Sequence, residues 1–292
     1  EKVVTAIAPK AAYQIANTGE GGAQLDLIRK LELTDDTFRK LADHAAALRI
    51  EFMSTPFDLA SVRFLARDLG VRRLKIPSGE ITNALLLLEA ASTKLPLIVS
   101  TGMSTLEEIE AALGVIAFGL TWPDEVPTLD KCKAAFASTT GQSVLHEKVT
   151  LLHCTTEYPA PFADANLRAM ATMRERFGLP VGYSDHTRGI AVAIAAAALG
   201  AAVIEKHFTL DRTLPGPDHR ASLEPGELKA MVEGVRAAAA ALGSPEKAPA
   251  PSELPNIPVA RRSLVAARPI KKGEILQADM IDAKRPGGGR SP

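Results

Sequence analysis

Cysteine occurs twice in these 292 residues, as Cys132 and Cys154. That is too few for a disulfide framework, and reduced thiols in a cytoplasmic protein are the expectation. No uninterrupted apolar run reaches the roughly 18 residues of a membrane span. The longest candidate, residues 190–199, is mostly alanine. An excess of either charge is also missing, since 34 Lys and Arg balance 34 Asp and Glu. This excludes broad attraction to nucleic acid or to an anionic membrane, so any anionic ligand must be held by local charge. An initiator methionine is lacking too: Glu1 opens the chain, residues 1–22 read as a polar loop, and the chain is expected to begin inside a larger protein.

What is present is a repeated alternation of short apolar runs and helical stripes, the signature of βα units on a parallel sheet. Phe38, Leu41, Ala42 and Ala45 recur at helical spacing, as do Val62, Leu65, Ala66 and Leu69. Strands are expected at 49–54, 73–76, 97–100, 148–154, 181–184 and 202–205, with further helices over 84–92, 166–177, 188–199 and 227–242. Ser104 and Glu107 fit a capping box opening the helix that follows the third strand. The connection 118–147 is long, with Trp122, Pro123, Pro127 and a short helical stretch near 131–136. It reads as a surface excursion, with a partner contact through Trp122 as the minority alternative. Residues 244–258 form a Pro-rich linker, which divides a barrel domain at 1–243 from a short β-rich segment at 259–292. In that segment 262–267 and 275–276 read as β elements around a turn at 271–274, and Gly287 to Gly289 read as a flexible end.

The polar residues that need explaining all follow strands. A (β/α)8 barrel gathers such loops on one face, whereas a doubly wound sheet collects its ligands at one switch point, so the scatter over six strands favours the barrel. Two further strands are then expected to precede Glu1. His186 and His207 end adjacent strands, where two imidazoles suit a divalent metal with positions left open for carboxylate, water and substrate. For either histidine alone a structural role is the commoner one. Thr55, Lys75, Ser78, Ser100 and Ser184 suit a phosphate, with strand-end capping as the bland alternative for any single hydroxyl.

Seven ordered segments carry a resemblance to a known family. They include Phe52-Met53-Ser54-Thr55-Pro56-Phe57, Lys75-Ile76-Pro77-Ser78-Gly79-Glu80, His153-Cys154-Thr155-Thr156-Glu157-Tyr158-Pro159, Gly182-Tyr183-Ser184-Asp185-His186-Thr187 and Pro215-Gly216-Pro217-Asp218. The chain resembles the N-acetylneuraminate (sialic acid) synthases, N,N'-diacetyllegionaminate synthases included, and its end resembles the start of their antifreeze-like (SAF) domain. The resemblance implies condensation of phosphoenolpyruvate with an N-acetylated aldose. The aldose is N-acetylmannosamine or a 2,4-diacetamido-2,4,6-trideoxymannose. Thr55, Lys75, Ser78, Ser100 and Ser184 would hold phosphoenolpyruvate. Glu80, Thr156, Tyr158 and Asp218 would meet the sugar, with Thr156 standing where some members have Asn. Lys75, Glu80 and Glu205 are the catalytic candidates. His186 and His207 would bind a divalent metal, manganese before magnesium or cobalt. Arg285 would reach a partner's site in a domain-swapped homodimer. Competing readings are another phosphoenolpyruvate-dependent aldol-type synthase, a two-histidine metal hydrolase on a barrel, and a non-catalytic carbohydrate-binding homologue.

Overall fold

Side chains alternate between the two faces of each strand, and that alternation decides which residues meet the helices, while burial runs on continuously because both faces are covered. The structure, a computed structural model, describes residues 3–18 and 23–292. It divides into two units, Glu1–Leu242 and Gly243–Pro292. The first begins with helices α1 (Ala12–Thr18), α2 (Gln24–Arg29), α3 (Asp35–Ala47) and α4 (Leu59–Arg63), the last continued by a π-helical turn over Phe64–Asp68. Strands and helices then alternate: β1 (Leu74–Ile76), α5 (Ala84–Ser92), β2 (Leu97–Ser100), α6 (Leu106–Thr121), α7 (Leu129–Ala137), α8 (Thr139–Lys148) and β3 (Val149–Cys154). α9 (Ala169–Phe177), β4 (Val181–Asp185), α10 (Ala191–Ala198), β5 (Ile204–Lys206) and α11 (Pro225–Leu242) complete the unit.

All strand pairs in this sheet are parallel and run in the order β1-β2-β3-β4-β5. Chain order never reverses across the sheet, so no switch point exists among these strands, and the arrangement is that of consecutive staves of a (β/α)8 barrel. Leu74, Ile76, Leu97, Val99, Val149, Leu151, Val181 and Tyr183 pack against Leu86, Leu87, Ile109, Leu113, Ile116, Met170, Met173 and Phe177 of the helices. The intervening residues Lys75, Ser100, Cys154 and Ser184 belong to the opposite face.

Several expectations change. Residues 49–54 are not a strand; no ladder joins them to β1, although Glu51 pairs with Arg73 at 2.8 Å and Phe52 packs on the core. A pairing the alternation did not reveal lies just past β5, where Phe208 and Leu223 form an isolated parallel bridge. The opening loop contains α1; residues 1, 2 and 19–22 of that expectation lie outside the described residues. The capping box is formed by Thr105 and Glu108, one residue later than read, because Thr105 is the residue with extended backbone before the helix. The excursion at 118–147 is largely two helices, whose Cys132, Ala135 and Leu145 are buried on the core, while Trp122 lies edge-on to Phe118 at 6.0 Å.

In the second unit, α12 (Ile257–Ala260) precedes β6 (Ser263–Ala266), which pairs antiparallel with β7 (Ile281–Lys284). The helix begins inside the stretch read as linker. Residues 275–276 are irregular, and β7 takes the place expected for them. The glycine end is tied down: Gly287 N donates to Pro258 O at 2.7 Å and Gly289 N to Ser263 Oγ at 3.0 Å. No helix among the described residues is long and apolar enough to cross a membrane.

Candidate active site

Ser100 ends β2, Cys154 ends β3, and Ser184 lies one residue before the end of β4, so these three side chains, with that of Lys75, occupy one edge of one sheet face. Lys75 is buried, and its Nζ donates to Ser100 Oγ at 2.7 Å and lies 3.5 Å from Glu205 Oε2. Ser184 Oγ donates to Glu205 Oε1 at 2.6 Å. A cation, two hydroxyls and a carboxylate thus meet across β1, β2, β4 and β5. Ser78 joins through a second route: Gly102 N donates to its Oγ at 2.9 Å, and Cys154 Sγ lies 3.2 Å away. The backbone at Gly102 comes so close to this cluster that a Cβ there would lie 2.4 Å from Thr156 Oγ1. Thr156 is therefore at the same edge.

The histidines sit beside this group. The rings of His186 and His207 are 5.3 Å apart between centroids and inclined at 71°. His186 Nδ1 lies 2.7 Å from the Thr155 carbonyl, which can only accept, so Nδ1 carries the proton. Ser184 spends its one hydroxyl proton on Glu205, which leaves the lone pair of His186 Nε2 unclaimed, 3.4 Å from Ser184 Oγ. Burial pushes the His186 pKa down more than its hydrogen bond to Thr155 raises it, and neighbouring His207 adds to the depression. A neutral imidazole with its Nδ1 proton fixed by a carbonyl is the form that ligates a metal. Among the described residues no group of three His, Cys, Asp or Glu surrounds a common point.

Tyr158 covers the imidazoles, with ring centroids 4.3 Å from His186 and 5.3 Å from His207. Burial drives its phenol pKa up, and the neighbouring Tyr13, Asp218, Cys154 and Glu205 add to the shift. Asp218 Oδ2 is 3.9 Å from His207 Nδ1. Glu80 accepts from Asn83 Nδ2 at 2.7 Å, in the 3-10 turn that follows β1.

One expected residue of this unit stands apart. Thr55 lines a cleft with Val3, Val4, Ile28 and Phe64, and no hydrogen bond joins it to Lys75, Ser78 or Ser100 among the described residues. It follows the stretch that failed to enter the sheet. Arg285 is exposed in the second unit, before Pro286.

Sequence reasoning missed Lys206, Tyr13 and Asn17. Lys206 Nζ meets Asp185 Oδ2 at 2.9 Å on the helix-facing side and also donates to the Thr187 carbonyl. Its neighbour His207 drew the functional reading; Lys206 ends β5 directly after Glu205, and only its burial beside Asp185 sets it apart. Tyr13 and Asn17 lay in what was read as a loop.

Comparison with known proteins gives the family. Residues 1–247 match the NeuB family and residues 261–292 the SAF domain. An N,N'-diacetyllegionaminic acid synthase of Campylobacter jejuni is 47% identical over 284 residues, 97% of this chain and 78% of that protein. One from Legionella pneumophila is 44% identical over 292 residues, 100% of this chain and 76% of that protein. The crystal structure of the N-acetylneuraminic acid (sialic acid) synthetase from Leptospira borgpetersenii, in complex with citrate, superposes with a TM-score of 0.66 at 34% identity, covering 80% of this chain and 72% of that one. With a family match over most of its length and a lysine, hydroxyl and paired-imidazole edge on a parallel sheet, the chain belongs to the NeuB family.

Proposed function

We propose that this protein condenses phosphoenolpyruvate with 2,4-diacetamido-2,4,6-trideoxymannose and water, giving N,N'-diacetyllegionaminate and phosphate. The observation that carries the reading is Lys75, buried and shared between Ser100 and Glu205, next to the two imidazoles. The relatives at 44% and 47% identity favour the diacetamido sugar over N-acetylmannosamine.

Lys75 supplies the positive charge for the phosphate of phosphoenolpyruvate, with Ser78, Ser100 and Ser184 as hydroxyl donors and Thr55 as an outer candidate. Fixing the phosphate aligns the methylene carbon for attack on the aldehyde of the open-chain sugar. The new carbon–carbon bond leaves positive charge at the phosphate-bearing carbon, to which water adds. The tetrahedral adduct then expels phosphate. Glu205 takes the water proton in this scheme, its hydrogen bond to Ser184 and its nearness to Lys75 supporting that role, with Glu80 as the second acid/base candidate. Tyr158, Thr156 and Asp218 face the sugar. His186 and His207 would hold a divalent metal, manganese before magnesium or cobalt, whose chemistry is Lewis-acid polarisation of the aldehyde oxygen. The enzyme acts in the cytoplasm as a domain-swapped homodimer in which Arg285 contacts the partner's sugar.

Incubating the protein with phosphoenolpyruvate, manganese and each sugar in turn, then reading phosphate release and product mass, tests the reaction. Diacetyllegionaminate is the expected product, and chelation should abolish its formation until metal is restored. Phosphate release with neither sugar would overturn the proposal. Subunit exchange between Arg285→Ala and His207→Ala protein should recover part of the activity. Confirmed exchange without recovery would remove Arg285 from the partner's site.

A further inference from the structure

Helix α1 is tied across the site by one side chain. Asn17 Nδ2 donates to the Tyr158 carbonyl at 3.1 Å and to the Pro217 carbonyl at 2.6 Å, joining the loops that follow β3 and β5. Tyr13 is one helical turn earlier and shares that face of the helix. Its ring lies 4.9 Å from Tyr158, tilted by 38°. The row Tyr13, Tyr158, His186 is therefore continuous from α1 to the imidazoles. Burial, and after it the carboxylates of Asp218 and Glu157, push the Tyr13 pKa up, so the phenol stays protonated and lies among acidic groups of the sugar-facing loops.

We infer that Tyr13 is a specificity-determining residue for the acylamino sugar, forming with Tyr158 an aromatic wall that receives the methyl-bearing part of a diacetamido-trideoxy sugar. The inference rests on the reaction proposed above and adds to it a residue that selects between the two sugars. A second acetamido group and a 6-deoxy carbon each present a methyl where N-acetylmannosamine presents a hydroxyl. An aromatic face gains by covering a methyl and offers a hydroxyl no acceptor of comparable strength. One apolar group in such a contact is worth ~10-fold or more in kcat/KM.

Steady-state kinetics of wild type, Tyr13→Phe and Tyr13→Ala with both sugars test this. Tyr13→Ala should lower kcat/KM for the diacetamido sugar by ~10-fold or more, through KM, and for N-acetylmannosamine by much less. The KM for phosphoenolpyruvate should stay within about twofold, and Tyr13→Phe should keep the preference because the ring remains. An equal loss with both sugars, or a matching rise in the phosphoenolpyruvate KM, would overturn the inference while leaving the reaction intact. If Tyr13→Ala does not fold, Tyr13→Leu removes the ring while keeping bulk and is read the same way. Should wild type turn over neither sugar, the proposed reaction falls, and calorimetric binding of each sugar to wild type and variant decides Tyr13 alone. Unchanged relative affinity there would overturn its role.

Discussion

Asp185 and Lys206 are register partners on β4 and β5, and their side chains, 0% and 1% exposed, form an ion pair of 2.9 Å on the helix-facing side of the sheet. Thr187 N and Oγ1 satisfy the other carboxylate oxygen at 2.9 and 2.7 Å. The next residues along both strands are His186 and His207. Removing one member of a pair this deeply buried leaves an uncompensated charge. Lys206→Met should therefore destabilise the protein by about 3–5 kcal/mol, and Asp185→Leu with Lys206→Met by clearly less. Urea unfolding midpoints of the two variants decide it; equal losses would mean that the pair does not act as a unit.

Lys75 has no comparable pairing, because its Glu205 contact is 3.5 Å and its short bond is to the neutral Ser100. Among the described residues its buried charge has no closer carboxylate partner, which is the basis of its proposed phosphate role. Lys75→Met should raise the KM for phosphoenolpyruvate and lower kcat by about 10²-fold or more, with the sugar KM little changed. An unaltered phosphoenolpyruvate KM would remove Lys75 from the phosphate site.

Gly102 has no room for a side chain, since an added Cβ would come within 2.9 Å of Ser78 Oγ and 3.0 Å of Cys154 Sγ besides Thr156. Gly102→Ala should displace the Ser78 and Thr156 hydroxyls together. The expected result is weaker binding of both substrates and a stability loss of about 1–3 kcal/mol. Kinetics matching wild type would show that the loop yields without moving either hydroxyl.

Stability of the metal-free protein should fall with acid before the carboxylates titrate. His186 and His153 both have folded pKa values below the ordinary 6.5, chiefly through burial. The unfolded chain thus binds more protons than the folded one, so their contribution is complete above about pH 6.5 and lost as pH falls through the folded values. Unfolding midpoints between about pH 7.5 and pH 5 should decline, and His186→Gln should flatten the decline. A flat profile in wild type would contradict the burial of both rings.

Much of this architecture could be read in the chain because short apolar runs, buried on both faces of a parallel sheet, leave a plain trace. Leu97, Val99, Leu151 and Val181 mark strands, and Ser100, Ser184 and His186 mark their ends. The misreadings fall where local pattern and partner choice separate. Residues 49–54 read as a strand, yet a strand exists only if a neighbour accepts its ladder, and no residue type records that. The isolated Phe208 and Leu223 bridge shows the converse, a backbone pairing with no run of residues long enough for periodicity. At the site, Lys75 and the two histidines stood out by chemical type. Tyr13 became visible only through Asn17, whose two carbonyl partners lie 141 and 200 residues away.

The unreversed strand order also bears on how the chain is assembled during synthesis. Each strand emerges next to the edge that the previous one has just left open, so the sheet can grow by one unit at a time without waiting for a distant segment. The step from β2 to β3 is the exception, because α7 and α8 roughly double the chain between Leu97 and its partner Val149 relative to that between Leu74 and Leu97. Doubling a loop adds only about 0.6 kcal/mol of closure entropy. The main effect is therefore delay: for the time α6, α7 and α8 take to emerge, β2 offers an unpaired edge, and that interval is when the nascent chain most needs shielding from other chains.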